Sequence, residues 1–143
     1  MGSKADFYIG AGNEAIRWLG SKCHDAYPDG IPPDILLQIN VIMYEEMLLE
    51  FLRSEPGDSI IAEEEDWPWL WSDSRMTDYS YIFLLDIGKV AASHFGKDLF
   101  DPIKIKQGED LNSADLGIGR PIFSAMSHRG FDETEELMKQ YGL

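Results

Sequence analysis

One cysteine, three histidines and only twelve lysines and arginines among 143 residues leave several kinds of chemistry without their usual parts. Cys23 has no partner for an internal disulfide and no second thiolate for a zinc knuckle, a usage that fits a reducing compartment. It reads as a small apolar filler. His24, His94 and His128 show no short metal-ligand spacing. "CHD", residues 23–25, names the members of a thiol triad, but adjacent side chains point in different directions and such triads are assembled from separated parts of a chain. "EEED", residues 63–66, lacks the spaced acids and turn glycine of a calcium loop. No apolar run reaches ~18 residues and no basic-then-apolar segment opens the chain, so the expectation is a cytoplasmic protein with neither membrane span nor signal peptide. No metal, cofactor or catalytic residue is expected from any motif.

What is abundant is negative charge. Twenty-six acids give a net charge of −14. Residues 23–74 hold thirteen of them against the single base Arg53, so that segment alone carries −12. Such a surface repels phosphate backbones and anionic membranes, which argues against direct nucleic-acid or lipid binding and suits a basic protein partner or plain solubility. The candidate acidic surface comprises Glu45, Glu46, Glu50, Glu63, Glu64, Glu65 and Asp66. A sharper version makes these carboxylates stand in for phosphates, so that the chain imitates nucleic acid before a basic protein.

A composition of 44% hydrophobic and 12% aromatic residues predicts one globular domain over residues 1–143. "ADFYIG", residues 5–10, reads as a strand, and "NEAIRWLG", residues 13–20, as a helix with Asn13 at its N-cap. "GAGNEA" between them spells the G-x-G-x-x-A of a dinucleotide loop. The acid-tipped strand that such a site needs ~20 residues later would fall on the proline-rich "SKCHDAYPDGIPPD", so Gly10 and Gly12 read as a strand-to-helix turn instead. Residues 33–55 predict one long helix whose broad apolar arc, expected to face the core, comprises Leu36, Leu37, Val41, Met43, Tyr44, Met47, Leu48, Phe51 and Leu52. Ile35, Ile42 and Leu49, spaced by sevens, form a second stripe for a covering layer or for self-association into a homo-oligomer. "TDYSYIFLLDIGKVAASHFG", residues 77–96, predicts a β-hairpin turning at Asp86, Ile87 and Gly88. "DPIKIKQG" suggests a further short strand, residues 109–129 a loop with a short helix, and "DETEELMKQYG" a closing helix with a capping box at Asp132 and Glu135. The expected fold is therefore α+β: an antiparallel β-sheet with a β-hairpin, packed against one long central helix and shorter flanking helices.

"WPWLWSDSR", residues 67–75, carries the remaining signal. In an extended segment Trp67, Trp69 and Trp71 turn to one side, and the bulk on both sides suits a clamp across a core. Arg75 lies between Asp73 and Asp78, an arrangement that is more often a structural ion pair than a fork for an anionic ligand. With His94, Arg75 and Asp78 form the only constellation from which a small enzyme or ligand pocket could be built. "ADFYIG", "WLGS", "YPDGI", "WPWLWSDSRMTDYSY" and "GKVAASHFG" together resemble a family of small bacterial and phage-associated proteins without an assigned activity. The resemblance spans residues 5–96 and implies no cofactor and no catalytic residue. The leading expectation is a non-enzymatic protein-binding or accessory domain that presents its acids, with Trp67, Trp69 and Trp71 as apolar anchors, to a basic partner.

Overall fold

Ala5–Ala11 form strand β1, and every residue from Ala5 to Gly10 is buried, so this strand is covered on both of its faces. A strand of that kind belongs at the centre of a sheet with a layer on each side. The computed structural model, which describes residues 3–71, 73–105, 111–123 and 139–140, has that arrangement. The other strands are β2 (Glu14–Lys22), β3 (Ser59–Ile61), β4 (Tyr79–Leu84) and β5 (Lys89–His94). Their order across the sheet is β3-β2-β1-β4-β5. β1 runs parallel to β4, and all other neighbours are antiparallel, so the sheet is mixed rather than antiparallel.

The segment predicted as a helix over residues 13–20 is β2. It leaves β1 through a tight turn in which Gly12 takes φ +59°, a conformation that costs glycine nothing. Register shifts between Phe7 and Tyr8 and between Ile9 and Gly10 interrupt the β1–β2 ladder. Each such irregularity moves the following side chains to the other face. The apolar positions Ala15, Ile16, Trp18 and Leu19 therefore lose the alternation of a strand and imitate helical spacing. The glycine motif thus ends in a hairpin, with no helix to hold a phosphate.

The long helix predicted over residues 33–55 is also corrected. It divides into α1 (Pro33–Leu36) and α2 (Val41–Arg53), and α2 is the one helix of seven or more residues among the described residues. Asn40 causes the break: its backbone is extended and its side chain accepts hydrogen bonds from the N–H groups of Ile42 at 2.9 Å and Met43 at 3.1 Å, so it caps a new helix. The Ile35, Ile42, Leu49 stripe disappears with the continuous helix that defined it. Ile35 is buried, Leu49 is half-buried against the core, and Ile42 faces out.

The hairpin over residues 77–96 is present as β4 and β5, with Gly88 at φ +63° in the turn. Of "DPIKIKQG", the described residues 101–105 supply no strand. Asp101 accepts a hydrogen bond from the Ile103 N–H at 3.1 Å and starts a 3₁₀ turn over Pro102–Lys104, where the proline has no N–H to give a ladder. The predicted closing helix lies outside the described residues except for Lys139 and Gln140, which are helical, and His128 lies outside them as well.

Two apolar layers result. On one face of the sheet α1 and α2 bury Tyr44, Leu48 and Leu52 against Phe7, Tyr81 and Phe83, with Phe7 and Tyr81 stacked at 5.3 Å. On the other face Tyr8, Trp18 and Ile82 are covered by Trp67, Trp69 and Phe123. The tryptophan segment is thus the lid of the second layer. No helix among the described residues is long and apolar enough to cross a membrane.

Candidate functional site

The polar centre of the molecule is a residue for which no role is expected from sequence. Asp6 lies on the lid side of β1, fully buried, in a row of short polar side chains crossing the sheet: Ser21 on β2, Asp6 on β1, Ser80 on β4 and Ser93 on β5 pair in register. Its Oδ1 accepts from the Ser21 hydroxyl and the Trp69 indole N–H, both at 2.6 Å. Its Oδ2 accepts from the hydroxyls of Ser74 at 2.5 Å and Thr77 at 2.7 Å. A second ring of donors completes three of these hydroxyls. Trp18 donates to Ser21 at 3.1 Å, Tyr8 to Ser74 at 2.6 Å and Trp71 to Thr77 at 2.8 Å.

Burial pushes the Asp6 carboxyl up from its ordinary value, against the lowering effect of its four hydrogen bonds. Burial, helped by the Asp6 charge, also pushes the Tyr8 phenol well up, so Tyr8 serves as a donor and not as a base. An enclosed carboxyl whose lone pairs are all directed at fixed donors is a structural hub. It ties two turns of the tryptophan segment to the central strand.

The tryptophans are used inside the fold. Trp67 and Trp69 are buried, Trp71 is half-buried, and Trp69 stacks on Trp71 at 5.7 Å. The Trp67 indole donates to the Trp71 carbonyl at 2.6 Å, which closes the loop on itself. Their indole N–H groups and most of their ring surface are therefore committed before any partner arrives. Leu70, between two of them, is exposed.

Arg75 is held by Asp73. Its Nε donates to both carboxylate oxygens, at 3.0 and 3.1 Å, and its backbone N–H to one of them at 3.0 Å, while Asp73 is buried. Asp78 accepts from the Lys4 backbone N–H at 2.8 Å. His94 packs against Tyr79 at 4.9 Å and Phe95 at 4.7 Å; burial and the nearby Lys97 lower its pKa, and Asp78 opposes them. Asp78 and His94 are thus neighbours, and the Arg75 side chain lies against Gly96, two residues beyond His94. The three do not converge on a common ligand position through any of these bonds.

The predicted acidic surface is exposed at Glu46, Glu50, Glu63, Glu64, Glu65 and Asp66. Glu45 is half-buried and paired with Arg17, and the two line one small depression with Glu63 and Leu49. Other bases are spent likewise: Lys22 on Glu55 and Asp58, Arg75 on Asp73, and Lys89 on Asp101. The surplus on the surface is therefore carboxylate. No group of three or more His, Cys, Asp or Glu side chains among the described residues is placed to hold a metal ion.

On the same helix as Glu46 and Glu50 lies exposed apolar surface, of which Met43 was predicted to face the core. Ile39, in the link between α1 and α2, is 80% exposed, and Ile42 and Met43, on the first turn of α2, are 66% and 44% exposed. The Ile39 carbonyl approaches Gly88, which brings the β4–β5 turn with exposed Leu85 and Ile87 to the same end of the molecule. The asparagine cap was the available signal: placing the start of a helix at Asn40 puts Ile42, Glu46 and Glu50 on its outer face. Comparison of the chain with protein-family models, with curated proteins and with solved structures finds no match.

Proposed function

We propose that this chain is a non-enzymatic protein-binding domain, and that its recognition surface is the outer face of α2 with the link before it. Ile39, Ile42 and Met43 form the apolar centre, Glu46 and Glu50 supply acids on the same helix, and the run Glu63 to Asp66 adds to the acidic surface. The observation that carries the reading is the exposure of Ile39 and Ile42, at 80% and 66%, at the start of the helix that carries exposed carboxylates. Scattered exposed aliphatics are ordinary, but clustered ones with charged surroundings have the composition of an interface. The acids favour a basic partner by steering its approach. They disfavour a second copy of this chain, since each copy carries −14. The internal use of Arg75, Asp73 and the tryptophan indoles supports binding over catalysis, because the residues available for a pocket are already engaged.

The test compares the immobilised wild-type chain with the double variant Ile39→Ser, Ile42→Ser, which leaves net charge unchanged. Native lysate is passed over both at low and at high salt. The expected result is a basic protein held by the wild type, released by salt and absent from a variant that melts normally. Equal retention by both chains, or none by either, would overturn the proposal.

A further inference from the structure

Beside that surface the fold carries a second feature that the acids alone do not explain. A cleft of about 340 Å³ opens between the 3₁₀ turn Pro28–Gly30, helix α1 and the 3₁₀ turn Pro102–Lys104. Its walls include Pro28, Pro33 and Pro102, its mouth carries the exposed Leu37 and Ile103, and among the described residues the charged side chain lining it is Asp29. The size suits one or two bulky side chains. Leu37 stands two residues before Ile39, so the cleft continues the surface described above.

The walls are fixed before anything binds. Tyr81 donates from its phenol to the Ala26 carbonyl at 2.6 Å, and the Gly30 N–H bonds to the Tyr27 carbonyl at 2.8 Å, anchoring the first wall. Asp101 caps the opposite wall and is itself held by Lys89 at 2.8 Å. Three prolines remove backbone freedom from the rim. A cleft built this way loses little entropy when filled, which is how a small contact gains useful affinity.

The charge around it selects the occupant. Among the described residues, Asp25, Asp29 and Asp34 are exposed on the first wall and α1, and Lys104 is exposed on the opposite turn. Resting on the protein-binding reading above, we infer that this cleft receives a short partner segment in which a leucine-sized side chain is flanked by lysine or arginine. The apolar side chain enters between the prolines, and the flanking cations meet Asp29 and Asp34. A second copy of the chain meets the acidic rim with acid, and an apolar molecule without charge leaves the carboxylates unused.

The experiment uses the full chain and a fluorophore-labelled peptide containing two leucines and three lysines, followed by anisotropy. Two control peptides replace the leucines by serine or the lysines by glutamate. Leu37→Asp is the informative variant because it adds negative charge while removing apolar surface at an exposed position. Binding in the cleft is expected to weaken by about tenfold or more with Leu37→Asp and with either control peptide. Attraction by charge alone predicts the opposite for Leu37→Asp, a tighter complex, and that result would overturn the inference. So would the absence of binding by the wild type. Ile42→Ser, on the α2 face, is expected to leave this peptide's affinity unchanged. If the cleft fails these tests while the α2 variants still lose the lysate partner, the inference falls and the proposed function stands.

Discussion

Replacing Asp6 by alanine removes an acceptor that four buried donors share. A hydrogen bond to a charged group contributes roughly 1.5–3 kcal/mol net, so four would sum to an upper bound of about 6–12 kcal/mol. Two effects reduce this. The buried carboxylate costs several kcal/mol of lost hydration, which the variant recovers. The hydroxyls of Ser21, Ser74 and Thr77 can turn toward one another or toward Tyr8, whereas the Trp69 indole has a fixed N–H and no other acceptor among its described bonds. The net loss expected for Asp6→Ala is about 4 kcal/mol, near the cost of breaking one side of a buried charged pair. With a urea slope of roughly 2 kcal/mol/M this lowers the unfolding midpoint by about 2 M. Asp6→Asn keeps a carbonyl acceptor and offers its amide protons to the hydroxyls, so its expected loss is about 1–2 kcal/mol. The assay is urea unfolding followed by tryptophan emission, which reads the lid directly, alongside far-ultraviolet circular dichroism, which reads the whole fold. A midpoint for Asp6→Ala within about 0.5 M of wild type, or equal losses for the two variants, would refute the hub described here.

The hub was hidden for a physical reason. Its donors come from β2 and from the segment before β4, as many as 71 residues away along the chain, and they meet Asp6 only because β1 lies between β2 and β4. A parallel pairing between distant strands leaves no local mark. One local sign was present: an acid inside the otherwise apolar "ADFYIG", in a strand buried on both faces, must find donors or neutralise. The β4–β5 hairpin was legible because its side chains alternate without interruption and Gly88 marks the turn. β2 was not, because its irregular pairing with β1 mixes the two faces. The apolar arc of α2 was legible in Tyr44, Leu48 and Leu52, yet the same periodicity ran past the break at Asn40 and drew the exposed Leu37 and Met43 into that arc. Periodicity reports which side chains can share a face; a cap decides where that face begins. The tryptophans were recognised as a clamp, but their indoles could be matched to acceptors only once the strands were in place.

Substitutions at Asn40 and at His94 test two further elements of the fold. Asn40→Ala removes the cap shared by the Ile42 and Met43 N–H groups and is expected to cost about 0.5–2 kcal/mol in urea unfolding, while Asn40→Asp retains most of it; equal midpoints for Ala and wild type would argue against a capped break. His94→Phe tests burial at the edge of the hairpin through the pH dependence of stability. The folded pKa of His94 lies below its ordinary 6.5, lowered first by burial and then by Lys97, so in that interval the unfolded chain binds more protons than the folded one. Stability from this group is therefore full above pH 6.5 and declines as pH falls toward the folded pKa. Phenylalanine keeps the ring against Tyr79 and Phe95 and has no proton to bind. Urea midpoints measured from pH 8 down to pH 5 should fall less steeply in the variant than in the wild type, with the difference confined to the acidic half of the range. Parallel curves would mean that His94 is as hydrated in the fold as in the unfolded chain, and the ring packing assigned to it would have to be abandoned.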